Sequence, residues 1–194
     1  MESIIKAFVA LFVIMDPIGN LPIFISLTKG MPIKEIKRNV DRSVFVAGVL
    51  LFIFLFFGIQ VFNLFGIDLD SFQIAGGIVL LIMGIFYVFG TSLKYVKSHG
   101  FDLSVPIGTP LLTGPGVITI TIILVKENGT FVTVIAGLLT LLATWIILTN
   151  SSRLYKILGE QWTSAISRIM GIILAAVAVK FITEGILNII GPLL

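Results

Sequence analysis

From Ser43 to Phe65, from Ser71 to Leu93 and from Thr130 to Ser152 the chain carries no charged side chain. Each run supplies the roughly 20 apolar residues that a helix needs to cross a hydrocarbon core about 30 Å thick. Soluble domains do not contain such runs, because a helix at the surface of a core must keep a polar face. The composition agrees: 57% of the 194 residues are hydrophobic and 12% are charged, where soluble domains carry about 25% charged residues. Lipid is the solvent this chain is built for, and its length leaves no room for a separate soluble domain. The formal charge of +3 would point to nucleic acid in a soluble protein. In a chain of spans it is the basic signature of cytoplasmic loops, and no nucleic-acid partner is expected. There are no cysteines and one histidine, His99, so disulfides are excluded and no structural zinc or other metal centre is expected.

Six spans are predicted, near residues 3–28, 43–65, 71–91, 105–126, 130–150 and 165–190. The first has an acid and a base near its start and no small-residue cleavage site, so it reads as a retained span rather than a leader. Ten basic residues fall on one side of the predicted membrane: Lys29, Lys34, Lys37, Arg38, Arg42, Lys94, Lys97, Arg153, Lys156 and Arg168. The opposite side holds Lys6 and Lys126, and its loop near Asp68 and Asp70 is acidic. By the positive-inside rule the ten-residue side is cytoplasmic and both termini lie outside a cell membrane. Residues 29–41 read as a solvated linker touching anionic lipid, with a short cytoplasmic helix as the alternative.

Spans one and four differ from the rest. Span one holds Asp16-Pro17-Ile18-Gly19-Asn20-Leu21-Pro22 near its middle, and span four holds Pro106, Pro110 and Thr113-Gly114-Pro115-Gly116. Proline removes a backbone donor and clashes with the preceding turn, so both helices should unwind there. Unwound backbone at membrane depth is tolerated only in a protein interior or a wet cavity, so both breaks should face inward. A single proline would be only a kink, but here two breaks stand at matching places. Pro17 lies 12 residues before Lys29 and Pro115 lies 11 before Lys126. At an offset of 94, Gly77, Ile78 and Leu80 match Gly171, Ile172 and Leu174. The predicted fold is therefore all-α: six transmembrane helices in a three-plus-three inverted-topology repeat, residues 1–98 and 99–194, with helices one and four discontinuous. Interrupted segments at equivalent positions point to a transport site near the bilayer midplane.

Asp16 is the residue with most to explain. An intramembrane carboxylate is costly and by default marks a binding or relay site; Asp before Pro is also an ordinary helix start. The two roles are compatible. Asn20 offers a donor and an acceptor, and Pro17 and Gly19 shape the turn around it. At the second break, Gly114, Pro115 and Gly116 open a helix whose first amides and dipole favour an anion such as a carboxylate. Thr113 and Thr119 add hydroxyls, which in helices more often bond back to the preceding turn. Lys180 and Glu184, one turn apart, form either an ion relay or a neutralised pair at the interface. Gln73 and Ser167 correspond at the 94-residue offset and are further pore-lining candidates. Trp145 and Trp162 suit interfacial or packing roles.

Three stretches together, Asp16 to Pro22, Pro110 to Gly116 followed by Ile118-Thr119, and Arg168-Ile169-Met170-Gly171, resemble the MarC family of integral membrane proteins. The resemblance covers essentially the whole chain. That family includes a small neutral amino acid transporter, which implies substrates such as glycine and alanine. The expected function is secondary transport of such an amino acid between the broken helices, coupled to Na+ or H+, with no cofactor. The absence of a phosphate-binding loop argues against ATP as the energy source. The alternatives are a channel or an exporter of another small metabolite. An intramembrane enzyme lacks a nucleophile–base pair, and an assembly factor would leave the two breaks without a purpose.

Overall fold

The structure is a computed structural model that describes residues 2–28, 30–89 and 112–191. Pro106, Pro110, Lys94, Lys97, His99, Lys29 and the 98/99 repeat boundary lie outside those residues. Seven helices follow one another among the described residues: α1 (Glu2–Met15), α2 (Leu21–Thr28), α3 (Ile33–Phe65), α4 (Leu69–Phe89), α5 (Pro115–Asn128), α6 (Thr130–Thr149) and α7 (Ser151–Ile190). No strand occurs among the described residues.

Four of these elements are long and apolar enough to cross a membrane: α3, α4, α6 and the Gln161–Ile190 part of α7. In each, only 28–39% of the most apolar window is buried within the protein. The remaining apolar surface includes Phe45, Phe57, Leu64 and Phe131, and it is stable only against lipid tails. The pieces on either side of the breaks are shorter. At 1.5 Å per residue, α1 and α5, each 14 residues, reach about 21 Å, less than the hydrocarbon thickness.

The sequence explains where the elements stop. Pro17 has no N–H to give to the carbonyl of Val13, so the α1 ladder ends at Met15. Helix α3 closes at Gly66, in the left-handed region, where the Gly66 and Ile67 amides donate to Asn63 and Phe62, the Schellman arrangement. Asp68 then caps α4: its carboxylate accepts from the Ser71 amide (2.6 Å) and hydroxyl (2.8 Å). Those two bonds hold the Asp68 carboxyl below the usual carboxylate range. Helix α7 bends at Gly159, whose φ of 75° is not helical. Residues from Ile33 onward are helical and run straight into span two, so that part of the expected 29–41 linker is instead the protruding base of α3. At 33 residues that helix is about 50 Å long, well beyond the hydrocarbon thickness.

One face of helix α1 is wholly buried at Ala7, Leu11 and Met15, and it packs on α5 and α6. The closest pairing is between α4 and α7. A Cβ on Gly84 would stand 2.7 Å from the Gly171 carbonyl, and one on Gly171 would stand 2.7 Å from the Gly84 carbonyl. One on Gly77 would meet the Ala178 carbonyl at 2.9 Å. These approaches exist because the side chains are missing, the small-residue packing that membrane helices use in place of a hydrophobic drive.

Candidate functional site

The turn between α1 and α2 meets the start of α5. A single small cavity is lined by Met15, Asp16 and Asn20 from the first, by Gly114, Pro115, Gly116 and Val117 from the second, and by Leu80, Met83 and Tyr87 of α4 and Leu174 of α7. Its volume is about 10 Å³, room for at most one water molecule. Among the described residues the space is too small for an amino acid.

The turn from Asp16 to Asn20 is fixed by its own side chains. Asp16 has φ 44°, a left-handed conformation that Asp tolerates better than most residues and that marks strained sites. Its Oδ1 accepts from the Gly19 amide at 2.9 Å, and the chain re-enters a helix with the Phe24 amide donating to the Asn20 carbonyl. A Cβ on Gly19 would overlap the Asp16 carboxylate, so the turn and the acid require glycine there. Asn20 is bonded at both ends of its amide: Nδ2 donates to the Met15 carbonyl (3.0 Å), and Oδ1 accepts from the Tyr87 hydroxyl. The Gly19 carbonyl accepts from Ser167 of α7 at 3.0 Å. Asp16 is 2% exposed, yet its Oδ2 has no hydrogen-bond partner among the described residues. A buried carboxylate oxygen without a partner costs several kcal/mol on general grounds.

The second break presents the opposite chemistry. Gly114 stands extended at the N-cap with no side-chain cap, and Pro115 occupies the first helical position. The Ile118 amide donates to the Gly114 carbonyl, and Gly116 and Val117 stand in the first turn, where a helix's N–H groups lack an acceptor within the helix. Both residues line the cavity. The positive end of α5 thus faces the same space as the carbonyl end of α1 and the Asp16 carboxylate, and an acid-bearing pole and an amide pole share one enclosure.

The remaining sequence candidates fall around this centre rather than in it. Pro17 is buried in the turn without lining the cavity. Thr113 donates to the Ala47 carbonyl of α3 at 3.0 Å, tying the second break to its neighbour. Thr119 bonds back to the Pro115 carbonyl at 2.8 Å. Gln73, buried on α4, donates to Glu184 of α7 (3.3 Å), which also pairs with Lys180 (3.6 Å) on the exposed side of α7. Trp145 donates to Asp41 at 2.7 Å, a packing role. Among the described residues no acid or histidine cluster could hold a metal ion. Sequence reading missed Leu80, Met83, Leu174 and Tyr87. Tyr87 left a faint mark: it stands on one helical stripe with Gly76, Leu80 and Met83, a phenol in an otherwise aliphatic and phenylalanine-rich span.

The whole-chain resemblance holds. The profile of the MarC family, described as integral membrane proteins, matches residues 1–190. A UPF0056 membrane protein of Methanocaldococcus jannaschii is 33% identical, with 96% of this chain and 97% of the relative aligned. A UPF0056 membrane protein of Archaeoglobus fulgidus is 32% identical over 93% of this chain and 90% of its own length. The UPF0056 inner membrane protein YhgN of Escherichia coli K12 is 33% identical, over 96% and 97%. No solved structure matches the chain. With four helices among the described residues long and apolar enough to cross a membrane, and a family match along nearly its whole length, the chain belongs to the MarC family of integral membrane proteins.

Proposed function

We propose that this protein is a secondary transporter of small neutral amino acids, glycine and alanine foremost, which bind between the two breaks. The observation that carries the reading is the pairing of poles in one cavity. Asp16, with an unpartnered oxygen at the carbonyl end of α1, suits an ammonium group; the Gly116 and Val117 amides at the start of α5 suit a carboxylate. A zwitterion satisfies both at once, and a small side chain is all that a wall of glycine backbone, Leu80 and Leu174 would accommodate once the site widens.

The helix contacts support alternating access through an inverted three-plus-three repeat. Exchanging the halves carries the α4–α7 pair onto itself. It also carries α4 on α5 onto α7 on α2, and both of these pairs touch. The closed cavity is then the occluded stage of a rocking cycle. Asp16 is also the group best placed to bind a coupling Na+ or H+. Lys180 and Glu184, away from the cavity, fit an interfacial pair better than a relay. The basic ends of α3 and α7 fit a cytoplasmic side, with both termini outside.

The test is reconstitution into liposomes with labelled glycine or alanine under imposed sodium and proton gradients. Saturable uptake and counterflow are expected, with gradient-driven uptake falling at least tenfold in Asp16→Asn while insertion stays intact. Ohmic single-channel currents, or no counterflow of either amino acid, would overturn the carrier reading.

A further inference from the structure

Contacts along the α4–α7 seam repeat when the helices are exchanged at the 94-residue offset. Gly84 against Gly171 becomes Gly77 against Ala178, and Gly77 against Ile182 becomes Val88 against Gly171; all four approaches are present. The offset is therefore a structural register, and it can be followed to the cavity wall. Leu80 corresponds to Leu174, and both line the cavity. Tyr87 corresponds to Phe181, and both are buried. Aligning Pro17 with Pro115 pairs Asp16 with Gly114 and Asn20 with Ile118. In the first half the set is Asp16, Asn20 and Tyr87; in the second it is Gly114, Ile118 and Phe181. The two halves share a shape at the seam and differ in chemistry at the site.

The polar set forms a chain of bonds: the Tyr87 hydroxyl to Asn20 Oδ1, and Asn20 Nδ2 to the Met15 carbonyl. It ties α4 through the first turn to the last carbonyl of α1, next to Asp16. We propose that Tyr87 is a positioning residue of the site, a latch that holds the Asp16–Asn20 turn closed with the acid facing the cavity. This rests on the transporter reading above for its role in a cycle. When the first half opens, a buried hydrogen bond must break; when the second half opens, the equivalent residues Ile118 and Phe181 have no such side-chain bond to lose. The phenol therefore sets which side of the site stays shut at rest, and how readily Asp16 meets its ligand. Phenylalanine at position 87 keeps the ring, as Phe181 does in the other half, so the variant removes the bond with little change of volume.

The chain has no cysteine, so a single reporter can be placed in the turn as Ile18→Cys and labelled in vesicles with a membrane-impermeant maleimide added to either side. Adding Tyr87→Phe should raise the labelling rate from one side alone by about five- to tenfold, the worth of one buried hydrogen bond. Phe181→Tyr in the same background should leave the rate unchanged. In counterflow, Tyr87→Phe should raise the half-saturating glycine concentration more than it lowers the maximal rate. Unchanged labelling in Tyr87→Phe would overturn the latch, as would an equal rise from both sides, which is general loosening. One-sided labelling with no glycine counterflow even in the protein bearing Tyr87 would support the latch and overturn the amino acid reading, so the two failures are distinguishable.

Discussion

Where α4 and α7 face each other, backbone lies against backbone, Gly84 on Gly171 and Gly77 beside Ala178. Where the same helices face the breaks, they present Leu80, Tyr87 and Leu174 to a space that holds an unpartnered carboxylate oxygen. The seam has one good arrangement, because any shift opens a void or drives a carbonyl into a neighbour. The cavity wall is held by a few separate bonds, and Asp16 Oδ2 there has no hydrogen-bond partner among the described residues. On the transporter reading proposed above, the seam would serve as the joint and the site as the part whose closure is held by a few separable contacts.

The comparison can be broken at several points. The largest effect is expected at the seam. Gly84→Ala places a Cβ against the Gly171 carbonyl and the Ala175 amide, so the helices must separate. A loss of about 1–3 kcal/mol, as for overpacked cores, should appear as a lowered unfolding temperature in detergent, with Gly84→Leu failing to fold. Gly19→Ala comes next. It drives a methyl into the Asp16 carboxylate and disrupts its bond to the residue 19 amide. Stability should fall by about 1 kcal/mol, one net hydrogen bond, while glycine counterflow falls at least tenfold; a large stability loss with normal counterflow would mean the turn is only structural. Acidification should have a modest effect through Asp68, whose carboxyl is held low by Ser71. A lowered value means the cap contributes fully above the ordinary Asp range and is lost as pH falls through the folded value. An Asp68→Asn variant should then show a shallower decline of melting temperature on acidification. The smallest effect is expected at Lys180. Its pair with Glu184 is largely exposed, so Lys180→Gln should change stability by less than about 0.5 kcal/mol and counterflow by less than twofold. A collapse of gradient-driven transport would restore the relay role to that pair.

Much of this was legible in the chain because the signals are strong and local. Uncharged runs announce spans, and Pro17 and Pro115 announce where helices stop and start, since a missing N–H acts wherever the chain goes. The 94-residue offset was visible in a few glycines and leucines, and the seam contacts give it a physical meaning. The lining of the site was less legible. Thr113 and Thr119 look like ligands from their place beside the break, yet each hydroxyl bonds to a carbonyl, of Ala47 and of Pro115; sequence gives the donor but not which acceptor is nearer. Tyr87 was hidden for the converse reason, because its partner Asn20 is remote in sequence and only the fold brings them together. The helical start at Ile33 was obscured by its charges, which read as a linker until α3 is seen to carry them beyond the membrane.

The reading of the cavity as a two-pole site is tested most directly by competition. Counterflow of labelled glycine would be measured in proteoliposomes against excess unlabelled glycine, methylamine or acetate, each at the same concentration. Glycine should compete, while methylamine and acetate, with one pole each, should compete at least tenfold more weakly; in Asp16→Asn the advantage of glycine over acetate should shrink. Equal competition by glycine and either single-pole analogue in the protein with Asp16 intact would contradict a site in which both breaks hold the substrate.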